Sequence, residues 1–494
     1  MAAGAPTLGR GSLFIGGAWR APAGGTYSPV IDPSTGRPIG EAPVASAEEA
    51  REAVEVAARV EEAWGSTPGH LRSKILRSTA ARLRDDREGM ARLIASEVGK
   101  PIVDARVEAD RAVTVFELAA EEIRHLGGES FPADAYERPA GNEQRFLFTV
   151  RDPIGVVVAI GPFNFPLNLL SHKVAPALAA GNPVVAKPTS AAPFTALRLA
   201  GHLAAAGLPA GALNVVVGPG RTVGDALVEH PRTRLVTFTG STDVGKGIAE
   251  KAGRHAKRVI LEMGGMDPFV VLDDSPLDVA VAAAVRGAFG YSGQVCTASK
   301  RFLVQETVAE KFARSLAERA GSLRVGPALD ERTEVGPLID SAAVSRMEEL
   351  VADARSRSAK VLTGGSRPAG AEGSFYSPTV MDEVPEDARV AHEEPFGPIA
   401  PVLRFHDLDD AVRIANATPY GLQAAVYTRD LARGFALAKR IRAGGVHLND
   451  PTNLRWDALP FGGVKESGLG REGLRYAMEE MTEVKIISVN FAGP

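Results

Sequence analysis

Between Ser46 and Leu126 the chain reads with a helical period: Leu71, Ile75, Leu76, Thr79 and Leu83 share one face, and Ser46 with Glu49 forms a capping-box signature at the start. This predicts a helical lead-in. The period changes near Phe131, and in QRFLFTVRDP (144–153) Phe146, Phe148 and Val150 alternate with polar neighbours, as in a half-exposed strand. Short apolar runs follow, IGVVVAIG (154–161), NPVVAKP (182–188), LNVVVG (213–218), RLVTFTG (234–240) and RVILEMGG (258–265), separated by helix-like segments. Apolar runs without alternation suit strands covered on both faces, so the series predicts βαβ units around a buried parallel sheet. A second series, PFVVL (268–272), RFLV (301–304), APVLRF (400–405), QAAVYT (423–428) and GGVHLND (444–450), has amphipathic helices such as 306–319 between its runs and predicts a second α/β unit. After the helix-like REGLRYAMEEM (471–481), the tail VKIISVN (484–490) alternates again. The strand near 148 and the tail strand belong to neither series, and are expected to pair with each other or with another subunit.

Composition narrows the function classes. A chain of 494 residues holds two or three domains at ~100 to 200 residues each. Lys and Arg (56) nearly balance Asp and Glu (60), so no global field favours nucleic acid or an acidic membrane. The one cysteine, Cys296, cannot form an internal disulfide, which points to a cytoplasmic protein. Near the start the apolar run extends only from Leu13 to Ile15, and no later stretch approaches the ~18 apolar residues of a membrane span, so neither a signal peptide nor a span is expected.

Several loops carry candidate chemistry. FTGSTDVGKG (238–247) has glycines and a lysine at phosphate-loop spacing, but Gly247 stands where such a loop needs Ser or Thr for magnesium. What survives is a Gly-rich turn at a helix start, which either receives an anion such as a dinucleotide pyrophosphate or simply caps the helix. In GPGRTVG (218–224) the third glycine comes one residue late for a dinucleotide fingerprint, and an ordinary turn explains it equally well. Cys296, in YSGQVCTASKR (291–301), is either an inert core thiol or a nucleophile. Glu262 ends the apolar run RVIL, where a carboxylate needs a task or a partner to offset its desolvation. Asn164 is the only polar side chain of GPFNFP (161–166), and serves either the loop backbone or a ligand.

Together PFNFP, NPVVAKPTS, FTGSTDVG, LEMGG, GQVC, EEPFGP and PFGGVKESGLGREG, in this order along nearly the whole chain, resemble the aldehyde dehydrogenase superfamily. The resemblance implies an α/β protein with a Rossmann-like cofactor domain (1–133 and 152–262, with 452–475 returning to it), a catalytic domain (263–451) and a small β oligomerisation arm (134–151 and 476–494). It implies Cys296 as the thiolate that attacks an aldehyde, Asn164 as the side-chain donor to the resulting oxyanion, and Glu262 as the general base that activates water. On the cofactor side it implies Lys187 at the adenosine ribose, Gly240 and Ser241 at the pyrophosphate, and Glu394 at the nicotinamide ribose with Phe396 beside the ring. Phe163, Gly220, Gly245 and Met263 complete the expected cofactor surroundings, and a homodimer or homotetramer is expected.

Departures from the family pattern refine this. Many NAD-dependent members carry Glu three residues after the lysine; here it is Ser190, which leaves room for a 2′-phosphate beside Lys187, so NADP is expected, with NAD as the alternative. Many members that act on acid-bearing aldehydes carry Arg just before the nucleophile, where this chain has Val295. The segments 166–181 and 454–483 resemble the lactaldehyde, phosphonoacetaldehyde, succinate-semialdehyde and non-phosphorylating glyceraldehyde-phosphate branch, which makes Arg111, Phe165 and Arg455 the expected substrate contacts; Arg111 on an amphipathic helix could equally be a solvated or ion-paired face. The expected product is a carboxylic acid from a small hydroxylated or acid-bearing aldehyde. A CoA-acylating enzyme and a catalytically retired structural member are the alternatives; the first commonly lacks the glutamate found at 262, and drift would be free to remove Cys296, Asn164 and Glu262 in the second.

Overall fold

In a computed structural model the described residues are 8–492; residues 1–7 and 493–494, the outer ends of the expected cofactor and arm segments and part of the stretch read for a signal peptide, lie outside them. The first run series builds one sheet in the spatial order Gly468–Leu469, Arg258–Glu262, Thr233–Thr239, Val156–Ile160, Val184–Lys187, Leu213–Val215, Leu13–Ile15, Ala18–Arg20. Its five central strands are parallel, and helices on both faces leave Val156–Ile160 and Val184–Lys187 wholly buried, which is why they lack polar alternation. From Val156–Ile160 the chain winds outward on one side through Val184–Lys187 and Leu213–Val215, then crosses back to Thr233–Thr239 on the other. That reversal opens a crevice at the carboxyl ends of Val156–Ile160 and Thr233–Thr239, the place where open α/β sheets bind ligands.

The second series forms a sheet in the order Lys360–Thr363, Thr379–Asp382, Ile399–Phe405, Ser299–Gln305, Asp267–Val271, Gln423–Tyr427, Gly445–Leu448, parallel except for its edge strand Lys360–Thr363. The two strands left unassigned by the run series pair with each other: Thr482–Asn490 lies antiparallel on Arg145–Pro153 along its whole length, and Ser130–Phe131 adds a short third strand. This small sheet keeps Phe146, Val484 and Ile486 exposed, and Phe491 just beyond it is exposed too.

The helical lead-in comprises Ala47–Arg59, Glu61–Gly65, Gly69–Asp85, Arg87–Val98 and Ile102–Glu122, and both hydrogen bonds of the Ser46/Glu49 capping box form. Leu71 corrects the expected apolar stripe: it lies in the first turn of Gly69–Asp85 and is exposed, whereas Leu76, Thr79 and Leu83 are buried. Periodicity also missed Leu13–Ile15, Ala18–Arg20, the hairpin Tyr27–Asp32 with Arg37–Pro43, and the strands Lys360–Thr363 and Thr379–Asp382, all too short or too mixed in polarity to carry a period. Among the described residues no helix is long and apolar enough to cross a membrane.

Candidate active site

A cavity of about 870 Å³ occupies the crevice and runs from the first sheet to the second. Phe163 and Asn164, from the loop after Val156–Ile160, line it, as do Lys187 and Ser190 from the end of the next strand. Gly220, Gly240 and Ser241 supply backbone wall where the chain turns into helices, with Ser241 at the N-cap of Thr242–Gly253. Glu262, Met263 and Cys296 lie on the cavity wall together with Glu394 and Phe396, whose ring stands edge-on to Phe163 at 5.7 Å. Gly245 corrects the expectation of a cofactor contact: it does not line the cavity, and a Cβ there would strike the Met263 thioether, so its role is to let the helix close on Met263.

The loop that leads to Cys296 is held in a costly conformation. Tyr291, Ser292 and Gly293 all have positive φ (46°, 56° and 70°), a state that two side-chain-bearing residues keep only when their surroundings impose it. Tyr291 Oη donates to the Val98 carbonyl at 3.0 Å, Ser292 Oγ to the Gly336 carbonyl at 2.8 Å, and Gln294 Oε1 accepts from the Ile339 N–H at 2.8 Å. A Cβ on Gly293 would collide with the Gly397 carbonyl, so the loop also needs glycine there. Cys296 leaves this loop half-buried. Beside it Asn164 is buried, its Nδ2 donating to the Gln294 carbonyl at 3.0 Å and its Oδ1 accepting from the Phe165 N–H at 3.1 Å. An amide nitrogen has two hydrogens, so one N–H of Asn164 remains for a ligand.

Glu262 is fully buried, and neither carboxylate oxygen has a hydrogen-bond partner among the described residues. Burial, then the negative charge of Glu472, push its pKa up to about 7. Burial also works against ionisation of Glu472, but Lys173 at 2.6 Å and Arg455 at 3.1 Å outweigh it and keep Glu472 below the usual carboxylate range. Glu472 is thus a fixed anion, and Glu262 a carboxyl group that holds its proton until near neutrality. The Cys296 thiol is pushed well above its ordinary value by burial and by Glu262, with Lys300 and Arg455 opposing. Lys173 stands in the helix Asn168–Ala180, every residue of which is buried; a lysine inside that apolar run was the available signal for a buried ion pair.

The expected substrate contacts lie outside the large cavity. Arg111 is ion-paired, the alternative its helix allowed: Asp457 holds it with two hydrogen bonds, at 2.5 and 3.2 Å, and also accepts from His172 Nε2 at 2.9 Å. Arg455 stacks over Phe461 at 3.9 Å and pairs with Glu472, yet its Nε has no partner, and it lines a separate cavity of about 400 Å³ with Trp456 and His447. Phe165 packs edge-on against Tyr291, with the Lys100 ammonium 3.5 Å from its ring centre. Arg221, which sequence reasoning did not single out, is exposed on the wall of the large cavity that Ser190 also lines.

The aldehyde dehydrogenase family model matches residues 19–487. The chain is 39% identical over 482 residues to a lactaldehyde dehydrogenase of Methanocaldococcus jannaschii, covering 97% of this chain and 100% of the relative. It is 38% identical over 480 residues to an NADP-dependent succinate-semialdehyde dehydrogenase of Escherichia coli, covering 97% and 98% respectively. Among solved structures, a glyceraldehyde-3-phosphate dehydrogenase from Methanocaldococcus jannaschii complexed with NADP superposes with a TM-score of 0.89 at 39% identity, over 94% of this chain and 98% of that one.

Alkylation by iodoacetamide reports Cys296 alone, because the chain has one cysteine. Its rate should rise with pH about a midpoint above the ~8.5 of a free thiol. Above pH 7 Glu262 is ionised, so Glu262→Gln removes a repelling anion and should move the midpoint down. An unchanged midpoint in that variant would show that the two side chains do not act on each other, and a raised one that Glu262 favours the thiolate instead of opposing it.

Proposed function

The chain belongs to the aldehyde dehydrogenase family and is an oxidoreductase that acts on aldehydes; from that premise we propose that Cys296, Glu262 and Asn164 carry the reaction and that NADP is the preferred oxidant. The observation that carries this reading is the meeting, at one end of a dinucleotide-sized cavity, of the chain's only thiol with a buried carboxyl group that lacks partners. The reading also takes 1–133 and 152–262, with 452–475, as the cofactor domain, 263–451 as the catalytic domain, and 134–151 with 476–494 as the arm.

The residues present fit the cofactor. Lys187 is a buried ammonium whose only hydrogen bond among the described residues is a long one, 3.4 Å to the Pro188 carbonyl, and burial brings its pKa down to about 8; ribose hydroxyls and a phosphate would satisfy it. Ser190 Oγ reaches only the Gly218 carbonyl, at 3.5 Å, and presents no negative charge. With Arg221 on the wall of the same cavity, this corner suits a 2′-phosphate. The backbone turns at Gly240 and Ser241, at a helix start, suit a pyrophosphate, and Glu394 the nicotinamide ribose.

Catalysis then follows from the positions of the side chains. The Cys296 thiolate bonds to the aldehyde carbon, and the free Asn164 N–H, with the Cys296 N–H, receives the oxyanion. A bound nicotinamide would supply the acceptor for the hydride of that carbon, and Cys296 would then hold the acyl group as a thioester. Glu262, ionised above about pH 7, takes a proton from water as the water oxygen adds to the thioester carbon. The carbon–sulfur bond breaks and the carboxylic acid leaves. Glu262 favours this hydrolytic outcome over acyl transfer to CoA.

We assign the substrate as a small hydroxylated or acid-bearing aldehyde. Support comes from the partnerless Nε of Arg455, from the reach of its charge to both Glu262 and Cys296, and from the lactaldehyde and succinate-semialdehyde activities in the relatives' names. The exposed Val484, Ile486 and Phe491 on the arm support self-association into a homodimer or homotetramer. Cytoplasmic residence completes the reading.

On cofactor choice, initial rates should favour NADP over NAD, and Ser190→Glu should reverse the order mainly through a raised KM for NADP, since it sets a carboxylate against the 2′-phosphate. A tenfold preference of the parent protein for NAD would overturn the assignment. On substrate, Arg455→Ala should lower kcat/KM for succinate semialdehyde and glyceraldehyde 3-phosphate roughly 10- to 100-fold more than for hexanal, the scale of one charge-assisted hydrogen bond. Equal losses across the panel would make Arg455 purely structural, a partner for Glu472.

A further inference from the structure

Lys300 is a charged residue that the reaction as described does not use. It lies near the start of the strand Ser299–Gln305 and is 2% exposed, a costly place for an ammonium unless its contacts satisfy it. Its Nζ donates to the backbone carbonyl of Cys296 and stands 3.1 Å from Glu394 Oε1. The same Glu394 oxygen accepts from the Gly265 N–H at 3.2 Å, in the loop that leaves Glu262. One ammonium therefore ties the nucleophile's own residue to the carboxylate on the cofactor side of the cavity. Its neighbour Arg301 has no such reach: Nε, Nη1 and Nη2 are spent on the carbonyls of Met266, Ile414 and Ala415.

We propose that Lys300 is a positioning residue with two linked effects: it holds Glu394 ready for the nicotinamide ribose, and its charge favours the thiolate form of Cys296. The proposal rests on the assignment of Cys296 and Glu394 above. The charges that bear on the thiol are Glu262, which disfavours the thiolate, and Lys300 and Arg455, which favour it. Those facing Lys300 are Glu394 and the buried Asp267; burial first, and Glu394 further, raise the pKa of Asp267 to about 8, so near neutrality it is mostly uncharged and Glu394 is the main counter-charge. The surplus positive charge felt at Cys296 depends on how tightly Glu394 holds Lys300.

The test uses the full chain with Lys300→Met, Lys300→Arg and Glu394→Gln, read by the pH midpoint of Cys296 alkylation without cofactor and by fluorescence titration with NADPH. Lys300→Met should raise the midpoint by about one unit, the lower end of what an adjacent opposite charge does, and weaken NADPH binding several-fold by freeing Glu394. Lys300→Arg should return the midpoint toward that of the parent protein, which a purely space-filling role would not require. Glu394→Gln removes the counter-charge and should lower the midpoint; if Lys300→Met does not fold, this variant decides alone. A midpoint unmoved in every folded variant overturns the proposal. Cys296→Ala separates its failure from that of the underlying reading, because aldehyde-dependent NADPH formation surviving in Cys296→Ala would remove the nucleophile assignment itself.

Discussion

Ionised Glu472 sets the electrostatics of the whole centre. Lys173 and Arg455 hold it as an anion inside the protein, and an anion fixed there makes a second negative charge at Glu262 costly. Burial first, and this anion second, make Glu262 keep its proton until about pH 7, the range in which a carboxylate can both accept a proton from water and return it. The same reluctance extends to Cys296, whose thiol is pushed well above its ordinary value by burial and then by Glu262, against the opposing charges of Lys300 and Arg455. Arg455 is common to all three groups, so its removal would disturb Glu472, Glu262 and Cys296 together.

The folding of the chain explains why these groups meet. Glu262 stands on the last residue of a strand in the first sheet, while Cys296 precedes a strand of the second, and the cavity lies where the sheets face each other. The reversal of strand order opens the crevice, and the positive-φ loop at Tyr291 to Gly293 aims the thiol at it. The Glu472 link reaches from the end of the chain to a helix buried under the first sheet, to Lys173, and the neighbouring Asp457 binds both His172 and Arg111. Ion pairs of this kind fix how the late segment seats on the early helices.

What could be read from the sequence was whatever local pattern dictates. Uninterrupted apolar runs marked the central strands of both sheets because burial on two faces leaves no polar position, and Asn164 and Glu262 at their ends stood out because polar residues there need a reason, whereas Lys187 was reached through the family resemblance. Lys173 carried the same signal, a charge in an apolar stretch, whereas Lys300, between Ser299 and Arg301, did not; their partners are Glu472 and Glu394, far along the chain, and no period or motif links such pairs. Arg111 illustrates the same limit from the other side: its charge was visible, its closure on Asp457 was not. Gly245 was misread because a glycine that admits a pyrophosphate and one that admits Met263 look alike until the helix is packed.

The account turns on a covalent intermediate at Cys296 whose hydrolysis needs Glu262. Its most direct test is the intact mass of Glu262→Gln after mixing with NADP and an aldehyde that the parent protein oxidises. The account predicts one acyl group per chain, absent when Cys296 is also changed to Ala, together with about one equivalent of NADPH per chain formed before turnover stalls. An unmodified mass with sustained NADPH formation would contradict it.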